Sequence, residues 1–184
     1  MYYTTLGIDR SRVVLTGHSA GAHLVALVGT DERYLKGAGL SFADIAGVIP
    51  NDGAAYDVPA QMKDGPPIMQ ATYKLAFGTD PARQQALSPT AHAAAPNARE
   101  FLLLYVQRPD GVRQAKALGD ALTAGGSRVE HGRLEHFGLA GGELLGRGDR
   151  RALQTQEVVV IGWHAVLDVQ RPATETPTLR DERA

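Results

Sequence analysis

The sequence predicts an α/β fold in which a parallel β-sheet is flanked by helices. Short apolar runs rich in branched side chains alternate with helical segments along the 184 residues. This alternation is typical of strands joined by crossover helices. The runs contain few polar residues, as expected for strands buried on both faces of a parallel sheet. Hydrophobic residues make up 43% of the chain and charged residues 21%, which indicates one ordinary globular domain.

The sequence predicts four strands, each followed by a helical segment. They are expected at residues 12–16, 45–50, 100–106 and 128–134. The third reads EFLLLYV and is apolar at almost every position, so it should be central.

Two helices have clear signals. The first is expected at residues 20–28 and should end near Gly29, a suitable C-terminal cap. The second follows the third strand and ends at Gly125 and Gly126. Its predicted apolar face consists of Val112, Ala115, Leu118 and Leu122.

The remaining parts of the chain are less regular. Residues 54–98 resemble a cap-like insertion of short helices, with prolines in their first turns at Pro67, Pro81 and Pro89. Residues 157–169 favour a terminal helix, although their β-branched start fits a strand equally well. We therefore expect one domain over residues 1–170 and a disordered polar tail at 171–184.

The stretch VVLTGHSAGAHL contains a GxSxG pattern formed by Gly17, Ser19 and Gly21. It falls between a predicted strand and a predicted helix, where a strained turn would expose a serine nucleophile. We expect both glycines to be needed because side chains two residues from such a serine would meet backbone. The Ala20 N–H would then face a developing oxyanion. The alternatives are a serine helix cap or a weak phosphate-binding turn, although the lysine and spacing of a phosphate loop are absent.

A serine nucleophile needs a base, and the chain has six histidines. His136 is our candidate because it follows the last predicted strand, where a loop can carry it over Ser19. The alternative is an ordinary surface-loop histidine. We expect His18 and His23 to pack beside the turn. His131 should lie in a strand and His164 in the terminal helix, whereas His92 lies within the irregular residues 54–98.

The candidate acid is Asp110, which follows the central strand by a few residues. This position should lie at the carboxyl edge of the sheet, together with Ser19. Asp52 and Asp57 follow the preceding strand and compete for the role. The RPDG context of Asp110 also reads as a plain turn.

Several segments together resemble the α/β-hydrolase fold serine esterases, in particular the carboxylesterase, hormone-sensitive-lipase-like and arylformamidase branch. GIDRSRVVLTGHSAGAHLVAL is similar to their nucleophile elbow. DGAAYDV, LSPTAHAAAPNAREFLLLYV and EHFGL follow in the order of that branch, so the resemblance covers about residues 6–140. It implies a Ser19, Asp110 and His136 triad, with the Ala20 N–H as an oxyanion donor. It also implies hydrolysis of small carboxylic esters or of a related acyl substrate such as an aryl formamide. The RPD sequence at residues 108–110 resembles the formamidase-like acid loop more than the commoner glycine-rich one, which slightly favours the formamide.

The chain departs from this family ahead of the elbow. Members have about four further strands there and an HGGG-like loop, whereas HGG occurs nowhere in this sequence. We therefore expect the C-terminal part of the fold, beginning at the elbow strand, with that strand as an exposed apolar edge. Two alternatives to an active hydrolase follow. One is a truncated, non-catalytic remnant, and the other is an interaction module that completes its sheet with a second copy or another partner.

Composition excludes several other classes of function. The formal charge of −1 and the isoelectric point near 6.6 provide no basic field for nucleic acid or an anionic membrane. Without cysteine there can be no disulfide or thiolate site. The histidines lack metal-ligand spacing, so we expect neither a metal nor a cofactor. No leader or membrane span is evident, and we expect a cytoplasmic protein.

Overall fold

The structure, a computed structural model, describes residues 13–134 and contains one four-stranded parallel sheet within them. The strand order is β1-β2-β3-β4, so each strand lies beside its neighbour in sequence. All four predicted strands are confirmed, with ends that differ by no more than two residues. They are β1 (Val13–His18), β2 (Ile45–Asn51), β3 (Glu100–Tyr105) and β4 (Arg128–Arg133).

The register aligns the carboxyl ends of the strands at one edge of the sheet. His18 of β1 lies opposite Asn51 of β2, and Asn51 lies opposite Leu104 of β3. Leu104 in turn lies opposite Gly132 of β4. The segments that leave these strands therefore emerge side by side, which is where open parallel sheets bind their ligands.

Seven helices connect the strands within residues 13–134, together with two short 3-10 turns. The prediction that prolines begin helical segments is confirmed at all three positions. The helices are α1 (Ala20–Thr30), α2 (Arg33–Gly37), α3 (Val58–Asp64), α4 (Gln70–Phe77), α5 (Pro81–Ala86), α6 (Pro89–His92) and α7 (Pro109–Ala124), and the 3-10 turns are Phe42–Asp44 and Pro67–Met69.

Helix α1 packs tightly against the sheet and continues past its predicted end. Gly29 does not cap it, because the helix reaches Thr30 and Asp31 is the C-cap. A methyl group at Gly29 would lie 2.9 Å from Val48 and 3.0 Å from Phe101. This glycine therefore permits close packing of helix and sheet rather than a turn, which corrects the prediction.

Helix α7 buries much of the apolar face predicted for it. Ala115, Leu118 and Leu122 are buried in the main core, whereas Val112 is only half-buried. The helix ends at Ala124, and Gly126 has a φ of 86°, as expected for a glycine after a helix. Polar residues share the buried side near the start of α7, and this part of the helix belongs to the site described below.

Within residues 13–134, β1 pairs only with β2 and is an edge of the sheet. The predicted helix at 157–169, the tail at 171–184 and the residues before Val13 lie outside the described residues.

Candidate active site

Ser19 occupies a strained turn between β1 and α1. Its φ of 55° and ψ of −116° are rare for a residue with a side chain. The turn is held by the Ser19 N–H, which donates to the Asn51 carbonyl at the end of β2 over 3.0 Å. Ser19 stands at the N-cap position of α1, yet its side chain makes no capping hydrogen bond. The alternative of a simple serine cap therefore fails, and the Ser19 side chain remains exposed.

The two glycines of the GxSxG pattern differ in the space available for a side chain. A methyl group on Gly17 would overlap the backbone carbonyl of Gly21, so a side chain there would force β1 and α1 apart. A methyl group on Gly21 would meet nothing within 4 Å. The predicted steric requirement for glycine therefore holds at Gly17. Among the described residues it is wrong at Gly21, because the Gly21 backbone is what a Gly17 side chain would meet, whereas a side chain on Gly21 itself would have space.

Ala20 begins α1 directly after Ser19. The Ser19 carbonyl accepts hydrogen bonds from the N–H groups of Ala22 and His23, over 3.0 and 3.3 Å. Ala20 therefore lies in the first turn, where backbone N–H groups point away from the helix and favour negative charge. This is the position expected of an oxyanion donor.

The histidines beside the elbow differ in environment. His23 is buried, its Nδ1 lies 3.0 Å from the Ala55 carbonyl and its ring packs on Phe77 with centroids 5.2 Å apart. Burial lowers the pKa of His23 below its ordinary value, which favours the neutral ring. The predicted packing role is confirmed for His23, whereas His18 is exposed at the end of β1.

The other histidines separate by position. His131 lies inside β4, as predicted, and His92 ends α6. His136, the candidate base, and His164 lie outside the described residues. The last described residue, Leu134, donates its N–H to the Tyr105 carbonyl over 2.8 Å, so the chain is still attached to the sheet two residues before His136.

Asp110 lies in the first turn of α7 and is 7% exposed. Its Oδ2 accepts a hydrogen bond of 3.0 Å from Gln61 Nε2 of α3 and a longer one of 3.5 Å from Arg108 Nη1. An Asp in the first helical turn also benefits from the helix dipole. The RPDG segment is thus the start of a helix, with a buried and ordered carboxylate, and not a plain surface turn.

The competing carboxylates, Asp52 and Asp57, make different contacts, although Asp52 also contacts Arg108. Asp52 follows β2 with a φ of 47°, and its Oδ1 lies 3.1 Å from Arg108 Nη2. Asp57 caps α3, since its side chain accepts from the Ala60 N–H. Helix capping accounts for Asp57. Arg108 joins the segments after β2 and β3, because it also donates to the Gly53 carbonyl over 3.2 Å.

A buried amide network lies beside Asp110 and was not predicted from the sequence. Gln61 Nε2 also donates to the Tyr73 hydroxyl, and Gln61 Oε1 accepts from Gln114 Nε2 at 2.6 Å. Gln114 Oε1 accepts from the Asp57 N–H over 2.9 Å. No sequence motif marks either glutamine. The i, i+4 spacing of Asp110 and Gln114 was the only available hint that both share one face of α7.

Beside this network lies a cleft of about 140 Å³. It is lined by Asp57, Ala60, Gln61, Asp64, Asp110, Arg113, Gln114 and Ala117. Over residues 13–134 no group of three His, Asp or Glu side chains is placed to hold a metal ion. No helix in that same range is long and apolar enough to cross a bilayer.

A parallel sheet whose first strand leads through a strained, exposed serine into a tightly packed helix defines the α/β-hydrolase fold class. No family model matches the chain, and no curated protein matches it.

Solved structures show the same fold. An acylaminoacyl peptidase from Pyrococcus horikoshii matches with a TM-score of 0.55 and 16% identity over 73% of this chain and 21% of its own. Esterase B from Lactobacillus rhamnosis matches with 0.51 and 21% identity over 72% and 45%. A puromycin hydrolase matches with 0.54 and 22% identity over 72% and 19%. The chain thus spans from 19% to 45% of the length of these structures, and at these identities the likeness concerns the fold.

Proposed function

We propose that the protein is a serine hydrolase that cleaves carboxylic esters, or a related acyl substrate such as an aryl formamide. One observation carries the proposal: Ser19 is held in a strained conformation while its hydroxyl is exposed and makes no cap. Strain of this kind costs about 1–3 kcal/mol and persists where the surroundings enforce it, most often at functional sites. The solved structures that share the fold are named as a peptidase, an esterase and a hydrolase.

In this proposal Asp110 is the acid and His136 is the base. The strand register supports the grouping, since β1, β3 and β4 end at the same edge of the sheet. Ser19 follows β1 directly, Asp110 lies five residues beyond the end of β3, and His136 lies three residues beyond the end of β4. The chain order serine, acid, histidine is that of the α/β hydrolases.

The reaction proceeds through an acyl-enzyme. His136 accepts the Ser19 hydroxyl proton while Oγ attacks the substrate carbonyl carbon. The imidazolium, oriented by Asp110, returns the proton to the leaving alcohol or amine as the acyl bond breaks. Water, deprotonated by His136, then attacks the acyl carbon, and the imidazolium returns this proton to Ser19 Oγ as the carboxylic acid leaves. The Ala20 N–H stabilises the oxyanion, a donor of the kind whose loss costs about 10²- to 10³-fold in rate.

Turnover of short-chain p-nitrophenyl esters tests this proposal. Wild-type protein should hydrolyse them, Ser19→Ala should abolish hydrolysis, and Asp110→Asn should reduce kcat by about 10⁴-fold. Asp52→Asn is the matched control, because the Asp52 carboxylate also contacts Arg108 but has no role in the proposed reaction. The kcat of this variant should stay near the wild-type value. Turnover that survives in Ser19→Ala would contradict the proposal. A loss confined to Asp52→Asn would move the acid to that residue.

A second candidate function is that of an interaction module. It is favoured by the position of β1 at the edge of the described sheet, since an unpaired strand edge is a template for strand addition. The partner in this proposal is a second copy of the chain. Light scattering at micromolar concentration should then give twice the monomer mass of 19.6 kDa, and a monomer at all concentrations would contradict it.

A further inference from the structure

We propose that Gln61 is a positioning residue for the hydrolase, and that its buried amide holds the Asp110 carboxylate in place from α3. This role rests on the proposed function. It also gives a role to residues 58–77, which are part of the segment that the sequence presents only as an irregular insertion.

Both the nitrogen and the oxygen of the Gln61 side-chain amide are hydrogen-bonded to polar side chains. The residue is 0% exposed. Its two donor hydrogens serve Asp110 Oδ2 and the Tyr73 hydroxyl, at 3.0 and 3.1 Å, and its oxygen accepts from Gln114. A side-chain amide has two donors and one acceptor oxygen, so each kind of group is used. Burying an amide is unfavourable unless it is hydrogen-bonded, so packing alone would favour an apolar residue here.

Gln61 is the nearer of the two side chains that donate to Asp110. Arg108 reaches the same Oδ2 only at 3.5 Å and directs Nη2 to Asp52 and to the Gly53 carbonyl. Arg108 is also 33% exposed, which weakens an ion pair by solvent screening. The uncharged Gln61 amide therefore fixes the orientation of the carboxylate without adding a neutralising charge.

The use of Oδ2 matters for the reaction. Among the described residues, both side chains that donate to Asp110 do so at Oδ2. This arrangement leaves Oδ1 to accept an N–H from an imidazole, which a triad requires. If Gln61 no longer held Oδ2, the carboxylate could rotate about its last side-chain bond and its alignment with the base would be lost.

The experiment measures kcat, KM and the pH profile of p-nitrophenyl ester hydrolysis in Gln61→Met, which keeps the length of the side chain but removes its hydrogen bonds. We expect kcat to fall about 10- to 100-fold with KM unchanged, as for a catalytic group displaced by a fraction of an ångström to one ångström. The acid limb of the kcat/KM profile should move to lower pH, because a base without its aligned carboxylate holds its proton less strongly.

The matched control is Gln84→Met, since Gln84 is another buried helical glutamine and its amide donates to the Gly78 carbonyl over 2.9 Å, away from Asp110. Its kcat and pH profile should match wild type. Circular dichroism establishes that each variant is folded. If Gln61→Met does not fold, Gln114→Met takes its place, because it frees Gln61 Oε1 and should lower kcat about 3- to 10-fold with the same shift of the acid limb.

The outcomes separate the two proposals. A folded Gln61→Met with wild-type kcat and an unmoved acid limb would overturn the role of Gln61 and leave the hydrolase intact. Equal losses in Gln61→Met and Gln84→Met would also overturn it. Wild-type protein without Ser19-dependent turnover would overturn the proposed function, and the role of Gln61 with it.

Discussion

The elbow region, residues 13–30, and the helical segment at residues 54–98 both contribute to the hydrophobic core but differ in their other close contacts. In the elbow region, backbone approaches backbone at Gly17, and backbone approaches core side chains at Gly29. In the helical segment, the buried polar side chains of Gln61 and Ser88 make hydrogen bonds that link separate stretches of chain. At Gly17 and Gly29 the elbow region depends on the absence of a side chain, whereas at Gln61 and Ser88 the helical segment depends on a particular side chain being present.

This difference determines how each region should respond to substitution. Close backbone approach tolerates no added atom, since the peptide groups on both sides have little room to relax. A buried hydrogen bond tolerates a change of shape but not the loss of one partner, because the other partner then remains buried without a substitute. Matched pairs of variants within each region test whether the two regions differ in this way.

The largest effect on stability is expected from Gly17→Ala. Its methyl group would overlap the Gly21 carbonyl, so the free energy of unfolding should fall by about 3 kcal/mol. Gly21→Ala is the matched variant four residues along and should stabilise α1 slightly, by up to about 1 kcal/mol. Urea unfolding measures both. Equal losses in the two variants would show that the elbow does not depend on this approach.

A smaller loss is expected from Ser88→Ala in the helical segment. Ser88 Oγ accepts from the Val58 N–H over 2.9 Å and donates to the Gln84 carbonyl over 2.8 Å. Removing it should lower the free energy of unfolding by about 1–3 kcal/mol. The nearby Thr90 Oγ1 is buried without a hydrogen-bond partner among the described residues, so Thr90→Val should be neutral or stabilising. If Thr90→Val lowered the free energy of unfolding as much as Ser88→Ala, the loss in Ser88→Ala could not be attributed to its hydrogen bonds.

The smallest effect is a pH dependence at His23, which joins the two regions through Ala55 and Phe77. Because burial lowers the pKa of His23 in the folded state, its contribution to stability is fully present above pH 6.5 and is lost as the pH falls toward the lowered value. Urea unfolding at pH 7.5 and 5.5 should show a larger loss for wild type than for His23→Leu. Parallel losses in the two proteins would contradict this assignment.

The same contrast explains how much the sequence could predict. The four strands, the proline-initiated helices and the strained turn at Ser19 follow from patterns within a few neighbouring residues. The bond between Gln61 and Asp110 joins residues 49 positions apart, and neither residue carries a local signal for the other. A glycine near a helix end is ambiguous until the sheet beneath it is known, so the sequence alone cannot distinguish a cap at Gly29 from a close packing contact.

In the proposed function Ser19 is an activated nucleophile, and covalent labelling provides the sharpest test of this role. Wild-type protein incubated with a fluorophosphonate probe and analysed by peptide mass spectrometry should carry one adduct, on the Ser19 peptide. Ser19→Ala should carry none, and Ser88→Ala should be labelled like wild type as long as it is folded. An unlabelled wild-type protein, or an adduct on another serine, would contradict the account.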